Sequence, residues 1–153
     1  MTQESRFEGG TYRGYRVYIR LVRNSRRYRP RQLCGPHEVY HFMRDLQSLD
    51  REVFYCLHLD ARNQLVSCEE VSKGTANASL VAPREVYKAA ILSSANSIIV
   101  AHNHPSGDPT PSSDDREIID RLYQAGDLLG ISLVDSVIIG HDRYHSMREG
   151  GEL

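Results

Sequence analysis

A short apolar run, Ser97–Ala101, leads straight into His102-Asn103-His104. A loop carrying Pro105, Pro109 and Pro111 then ends at Ser112-Ser113-Asp114-Asp115. The run is rich in β-branched residues and bounded by polar ones, which predicts a buried strand. Side chains two apart on an extended chain point to the same side, so His102 and His104 at the end of that strand can converge on one ion. The prolines stiffen the loop. The helix that follows carries Asp115 in its first turn, where a carboxylate can return to the two imidazoles. Zinc accepts imidazole nitrogen and carboxylate oxygen together, and three protein ligands with a fourth place open to water is the catalytic pattern. The same residues also have a metal-free account. Ser112-x-x-Asp115 is a capping-box variant, with an acid favoured in the first helical turn. The two accounts are compatible, because Ser112 can cap while Asp115 ligates. An isolated H-x-H is weak evidence; the paired His, the stiff loop and the placed acid are stronger as a set.

The rest of the chain supplies a scaffold for that segment. Val17, Ile19 and Leu21 alternate with Arg16, Tyr18 and Arg20, which predicts a strand from Tyr15 to Leu21 with one wet face. Gly35-Pro36 opens a helix whose apolar face carries Val39, Phe42, Met43, Leu46 and Leu49. Val53–Leu59 and Leu65–Val71 read as strands joined by the polar turn Asp60-Ala61-Arg62-Asn63, and Gly74-Thr75 closes that unit. Pro83 and Glu85 start a second helix running toward Ala95. A third begins near Ser113, with Ile118, Leu122, Ala125 and Leu129 inward, and Ile131–Ile139 and the segment near Tyr144 close the pattern as strands. Hairpins mixed with helices predict an α/β or α+β domain of three layers.

Composition narrows the classes further. At 153 residues the chain is one domain by size and too short for a (β/α)₈ barrel, which takes about 200 residues or more. Barrel amidohydrolases, which also use H-x-H, are thereby excluded. Cys34, Cys56 and Cys68 are odd in number and none are spaced C-x-x-C, which argues against a disulfide framework and a cysteine zinc site. No apolar run is long enough to span a bilayer, and the start has no signal-peptide pattern. A cytoplasmic protein without membrane contact is the expectation. The near-neutral net charge hides a split: residues 1–32 hold nine Arg and two Glu, about +7, which leaves roughly −8 on the rest of a chain whose total is −1. We therefore divide the chain into a basic arm, residues 1–34, and a body, residues 35–153. The arm can pair with the acidic body or with a second copy in a homodimer, or it can contact nucleic acid through phosphates.

His-x-His, seven residues, Ser, two residues, Asp matches the JAMM (MPN-plus) metalloprotease motif at every fixed position. The text from His102 through Gly107, Pro111-Ser112, Asp115, Gly74-Thr75 and Pro83-Arg84-Glu85-Val86 resembles the RadC branch of that family, from about Gly35 to about Glu149. The resemblance implies a three-layer JAB/MPN-like, cytidine-deaminase-like α+β domain with a curved mixed sheet flanked by helices. It implies Zn(2+) on His102, His104 and Asp115, and Glu52 as the catalytic acid–base that holds the attacking water and shuttles its proton. It implies that Ser112 helps stabilise the oxyanion and that the bond cleaved is a peptide or isopeptide bond in a protein or peptide substrate. Where longer RadC proteins carry a helix-hairpin-helix region, we expect only the basic arm. This chain has Asp135-Ser136 where RadC-like sequences usually carry Asp-His, a change expected to alter substrate contacts rather than metal binding.

Other patterns compete with this reading. His37-Glu38-Val39-Tyr40-His41 satisfies the H-E-x-x-H signature of zincins. Its helix is short and no third ligand is evident, so it is expected not to be the zinc site. His141 and His145 are four apart but lie beside Gly140 and Asp142, in a turn. His58 alternates with strand neighbours and is expected to be a packed residue. Nucleobase deaminases need H-x-E with P-C-x-x-C, and neither is present. Two functional rivals come from other classes. One is a nucleic-acid-associated protein using the arm, where Tyr12, Tyr15, Tyr18 and Tyr28 are interleaved with Arg. The other is an inactive MPN scaffold, against which the intact ligand set argues.

Overall fold

The computed structural model describes residues 31–74 and 81–153. The strand expected at Tyr15–Leu21 and the arm through residue 30 lie outside the described residues, as does Thr75. The elements follow the order α1 (Pro36–Met43), a 3-10 turn (Arg44–Ser48), β1 (Glu52–Leu59), β2 (Leu65–Gly74), α2 (Pro83–Leu92), β3 (Ser97–Asn103), α3 (Ser113–Leu129), β4 (Ser132–Ile139) and β5 (Tyr144–Ser146).

The five strands form one mixed sheet in the order β2-β1-β3-β4-β5. β1 runs antiparallel to both β2 and β3, β3 and β4 are parallel, and β5 returns antiparallel to β4. The parallel pair needs a crossover, and α3 supplies it. β3 is central, and all seven of its residues are buried. Alternation then divides the core in two. Phe54 and Cys56 of β1, with Ile98 and Val100 of β3, pack against Val86, Tyr87 and Ala90 of α2 and Ile118, Ile119 and Leu122 of α3. Val53, Leu57 and Leu59, with Ile99 and Ala101, face Val39, Tyr40 and Met43 of α1 on the other side. The result is the three-layer, JAB/MPN-like α+β arrangement, with helices on both faces of a mixed sheet.

Two close approaches hold the layers together, one between α2 and α3 and one at the loop after β3. A Cβ on Gly126 of α3 would collide with the Tyr87 hydroxyl of α2, which donates to the Leu122 carbonyl at 2.8 Å. A Cβ on Gly140 would lie 2.5 Å from the Gly107 carbonyl and 2.7 Å from Pro109 Cδ. The loop after β3 is thus seated directly on the chain leaving β4.

The sequence expectations differ from the structure at element ends. The first helix keeps α geometry only to Met43 and then tightens into the 3-10 turn; Leu49 leaves the buried face and is 37% exposed. β3 runs two residues past the apolar run and ends at Asn103, so His102 lies in the last pleat of the strand as expected and His104 is the first residue beyond it. Pairing with both neighbours, to Phe54 of β1 and Ile138 of β4, carries the strand that far.

Candidate metal centre

Register brings the donors together. β1 is antiparallel to β3 and Phe54 lies opposite His102, so Glu52 at the start of β1 meets the end of β3. Both side chains project to the α2/α3 face. α3 begins at that same end of the sheet and points its first turn at it, delivering Asp115. Ligand atoms of Glu52, His102, His104 and Asp115 all lie within 4.8 Å of one another. His102 Nε2 is 3.2 Å from His104 Nε2 and 3.1 Å from Asp115 Oδ1, and His104 Nε2 is 3.3 Å from Asp115 Oδ2. A tetrahedral ion with ligands at about 2.0–2.1 Å would separate them by about 3.3 Å, so this triangle has the size such an ion requires. Glu52 Oε1 stands further off, 3.9 Å from His102 Nε2.

Each donor is held by something else. His104 Nδ1 donates to the Asp108 carbonyl at 2.8 Å, which leaves the Nε2 lone pair for an ion. The backbone N–H of His104 is held by the Ile139 carbonyl at 3.0 Å. His102 is 1% exposed and stacks on Phe54, with ring centroids 5.5 Å apart and 13° between planes. Its Nδ1 is buried without a hydrogen-bond partner. Asp115 is the third residue of α3 and completes the expected capping box with Ser112. One carboxylate therefore caps α3 and also lies within reach of an ion placed between the two imidazoles.

The electrostatics follow from these contacts. Burial alone would raise the Asp115 carboxyl. Hydrogen bonds from His102 and His104, with the His102 charge and the Ser112 backbone, overcome it and hold the group well below the usual carboxylate range. The positive end of the α3 dipole acts in the same direction. The Asp115 hydrogen bond raises the His104 imidazole against its burial. Glu52 moves the other way. Burial lifts its pKa, the nearby Asp115 charge adds to that, and the imidazoles of His102 and His104 oppose it. Two carboxyls in one cleft are thereby separated into a firmly ionised one and a more basic one.

Three residues of the site were not legible as functional. Asn103, between the two His and fully buried, accepts the Val53 N–H at Oδ1 (2.8 Å) and donates from Nδ2 to the Arg51 carbonyl (3.0 Å). It thus clamps the backbone on both sides of Glu52. Phe54 and Asp108 act on His102 and His104 as described. An amide-bearing residue inside H-x-H was the only available signal, and its partners are about fifty residues away in sequence.

The remaining candidates fall elsewhere. His37 and His41 sit exposed on α1, with their Nε2 atoms 3.0 Å apart. Among the described residues, only the Glu52–His102–His104–Asp115 group brings three or more potential ligands together. His58 is 1% exposed and bonded through Nδ1 to Ser67 Oγ at 2.8 Å; burial lowers its pKa to about 4. Ser136 corrects an expectation. It is fully buried in β4 opposite Val100, so the departure at this position changes the core and cannot touch a substrate directly. Asp135 beside it is also buried, accepting from the Ser136 N–H, the Ser146 hydroxyl and the Arg148 N–H.

A mixed sheet covered by helices on both faces, with two His and a carboxylate gathered at the end of its central strand, defines a JAB/MPN-like domain with a candidate metal centre. A model of the RadC-like JAB domain family matches residues 33–152, and the chain belongs to that family. It is similar to UPF0758 proteins of Symbiobacterium thermophilum (51% identical over 79% of this chain and 52% of that protein) and Chlorobium phaeovibrioides (48%, over 80% and 56%). A UPF0758 protein of Thermotoga maritima is 44% identical over 81% of this chain and 56% of its own length. The chain thus spans about half the length of the curated relatives it matches. No helix among the described residues is long and apolar enough to cross a membrane.

Proposed function

We propose that this domain is a zinc-dependent hydrolase of the JAMM type that cleaves a peptide or isopeptide bond in a protein or peptide substrate. The observation that carries the reading is the position of Glu52: partly buried, with its pKa raised, and 3.9 Å from His102 Nε2 beside a three-ligand triangle of tetrahedral size. His102, His104 and Asp115 would hold the ion, which when bound polarises a carbonyl and lowers the pKa of water. Glu52 accepts a proton from the attacking water as it adds to the carbonyl carbon. It then returns that proton to the nitrogen as the C–N bond breaks. The Ser112 hydroxyl donates to Asp115 Oδ2 at 2.7 Å in the resting site. To stabilise the carbonyl oxygen as it gains negative charge, that hydroxyl turns from Asp115 to the substrate. Phe54, Asp108 and Asn103 keep the imidazoles and the Glu52 backbone from moving during these transfers.

The test is a cleavage screen with peptide and isopeptide libraries on zinc-loaded protein, wild type against Glu52→Gln. The variant keeps the shape and removes the basicity, so zinc should stay bound while turnover falls by about 10²–10⁴-fold. A cleaved substrate that Glu52→Gln turns over at the wild-type rate would remove Glu52 from the mechanism.

A further inference from the structure

We infer that His37 and His41 form a second, separate metal site on α1, a two-imidazole chelate for a first-row divalent ion of square-planar or octahedral preference, Ni(II) or Cu(II). The two residues are one helical turn apart, so both rings rise from the same face of α1. Both are exposed, and their Nε2 atoms lie 3.0 Å apart with the rings nearly perpendicular at 79°. Among the described residues neither Nε2 has another hydrogen-bond partner. Two ligands at about 2.1 Å from an ion and 90° apart are separated by about 3.0 Å, whereas a tetrahedral pair is separated by about 3.3 Å. The α1 pair matches the right-angled edge, at a separation that is also the length of the hydrogen bond the two rings share without an ion. Geometry of this kind sorts metals: tetragonal nitrogen sites suit Cu(II) and Ni(II).

The surroundings leave room for the rest of a coordination sphere. The imidazoles open onto a cleft of about 730 Å³ shared with Tyr40, Arg44, Asp142, Arg143 and Tyr144, in which Arg44 is paired with Asp142 at 3.2 Å. The remaining positions on the ion would face this cleft and take water or a small anionic ligand. The motif that resembles a zincin signature thereby acquires a role without a general base, because among the described residues no third His, Cys, Asp or Glu joins this pair in a ligand group.

Isothermal titration of untagged, zinc-saturated protein with Ni(II) tests the site, with released zinc measured in the same samples. One Ni(II) per chain should bind without displacing zinc. His37→Ala and His41→Ala should each weaken that binding at least tenfold, while His141→Ala leaves it unchanged. Both variants lie on an exposed helix face, and circular dichroism will show whether α1 is intact. Equal Ni(II) affinity in wild type and His37→Ala overturns the inference. So does Ni(II) uptake matched one-for-one by zinc release, which would place the ion at the other centre.

Discussion

Asp115 Oδ2 accepts both the backbone N–H and the hydroxyl of Ser112 at 2.7 Å, and Ser112 Oγ in turn accepts the Asp115 N–H at 3.1 Å. The same carboxylate faces His102 through Oδ1 and His104 through Oδ2. One pair of residues therefore starts α3 and finishes the candidate metal centre. Helix initiation and ligand orientation are mechanically coupled there.

Replacing Ser112 by Ala should separate three effects of that coupling. Loss of the cap should lower stability by about 1 kcal/mol, read from thermal unfolding of metal-free protein. Loss of the hydrogen bond to a ligating carboxylate should weaken metal binding by about 10–100-fold. If the hydroxyl also serves the reacting carbonyl, turnover at saturating metal should fall a further 10²-fold or so. Unchanged turnover in metal-saturated Ser112→Ala would confine the residue to capping and ligand support.

Purified protein should hold about one tightly bound zinc per chain at the three-ligand site. His102→Ala, His104→Ala and Asp115→Ala should each lose it by elemental analysis, whereas His37→Ala and His41→Ala retain it. Full zinc content in a His102/His104 double variant would refute the assignment.

Gly140→Ala should disturb the metal loop from outside it. The new methyl meets the Gly107 carbonyl and Pro109, so the loop must shift or β4's exit must give way. Overpacking of this kind costs about 1–3 kcal/mol. Zinc affinity should fall as well, because His104 is bonded to the Ile139 carbonyl beside this seam. A variant with wild-type melting temperature and wild-type zinc affinity would show that the seam does not position the loop.

His58 should contribute a measurable acid sensitivity. Its folded pKa of about 4 lies below the ordinary value of 6.5, so the unfolded chain takes up the proton more readily. Stability from this group is complete above pH 6.5 and is lost as pH falls toward 4. Between those limits the wild type should lose on the order of 3 kcal/mol relative to His58→Leu, measured by denaturant unfolding. Parallel pH profiles for the two proteins would mean that the buried imidazole is not neutral as described.

Much of this architecture was readable from local pattern. The alternation in β1 and β3, the spacing in α2 and α3, and the proline loop between His104 and Ser112 each reflect a short-range periodicity or a backbone restriction. The H-x-H pair and Ser112-x-x-Asp115 are likewise local, since strand alternation and helix capping act over two or three residues. The 3-10 turn after Met43 was not readable, because the apolar spacing continues through Leu46 and Leu49 while in the structure only Leu46 stays buried.

What the sequence determined alone is the set of donors and the elements that carry them. Tertiary structure decided which distant residues join them. Glu52 is fifty residues from His102, and no periodicity links the two; family resemblance named it, and the β1–β3 register, with Phe54 opposite His102, places it at the site. Asn103 could be seen as a polar residue on the far side of the strand, yet its function as a clamp on Arg51 and Val53 exists only once the strands are paired. Side-chain chemistry and short-range geometry are properties of a segment. Register is a property of two segments fixed by burial of both faces of the sheet, so it becomes visible only when the chain has folded.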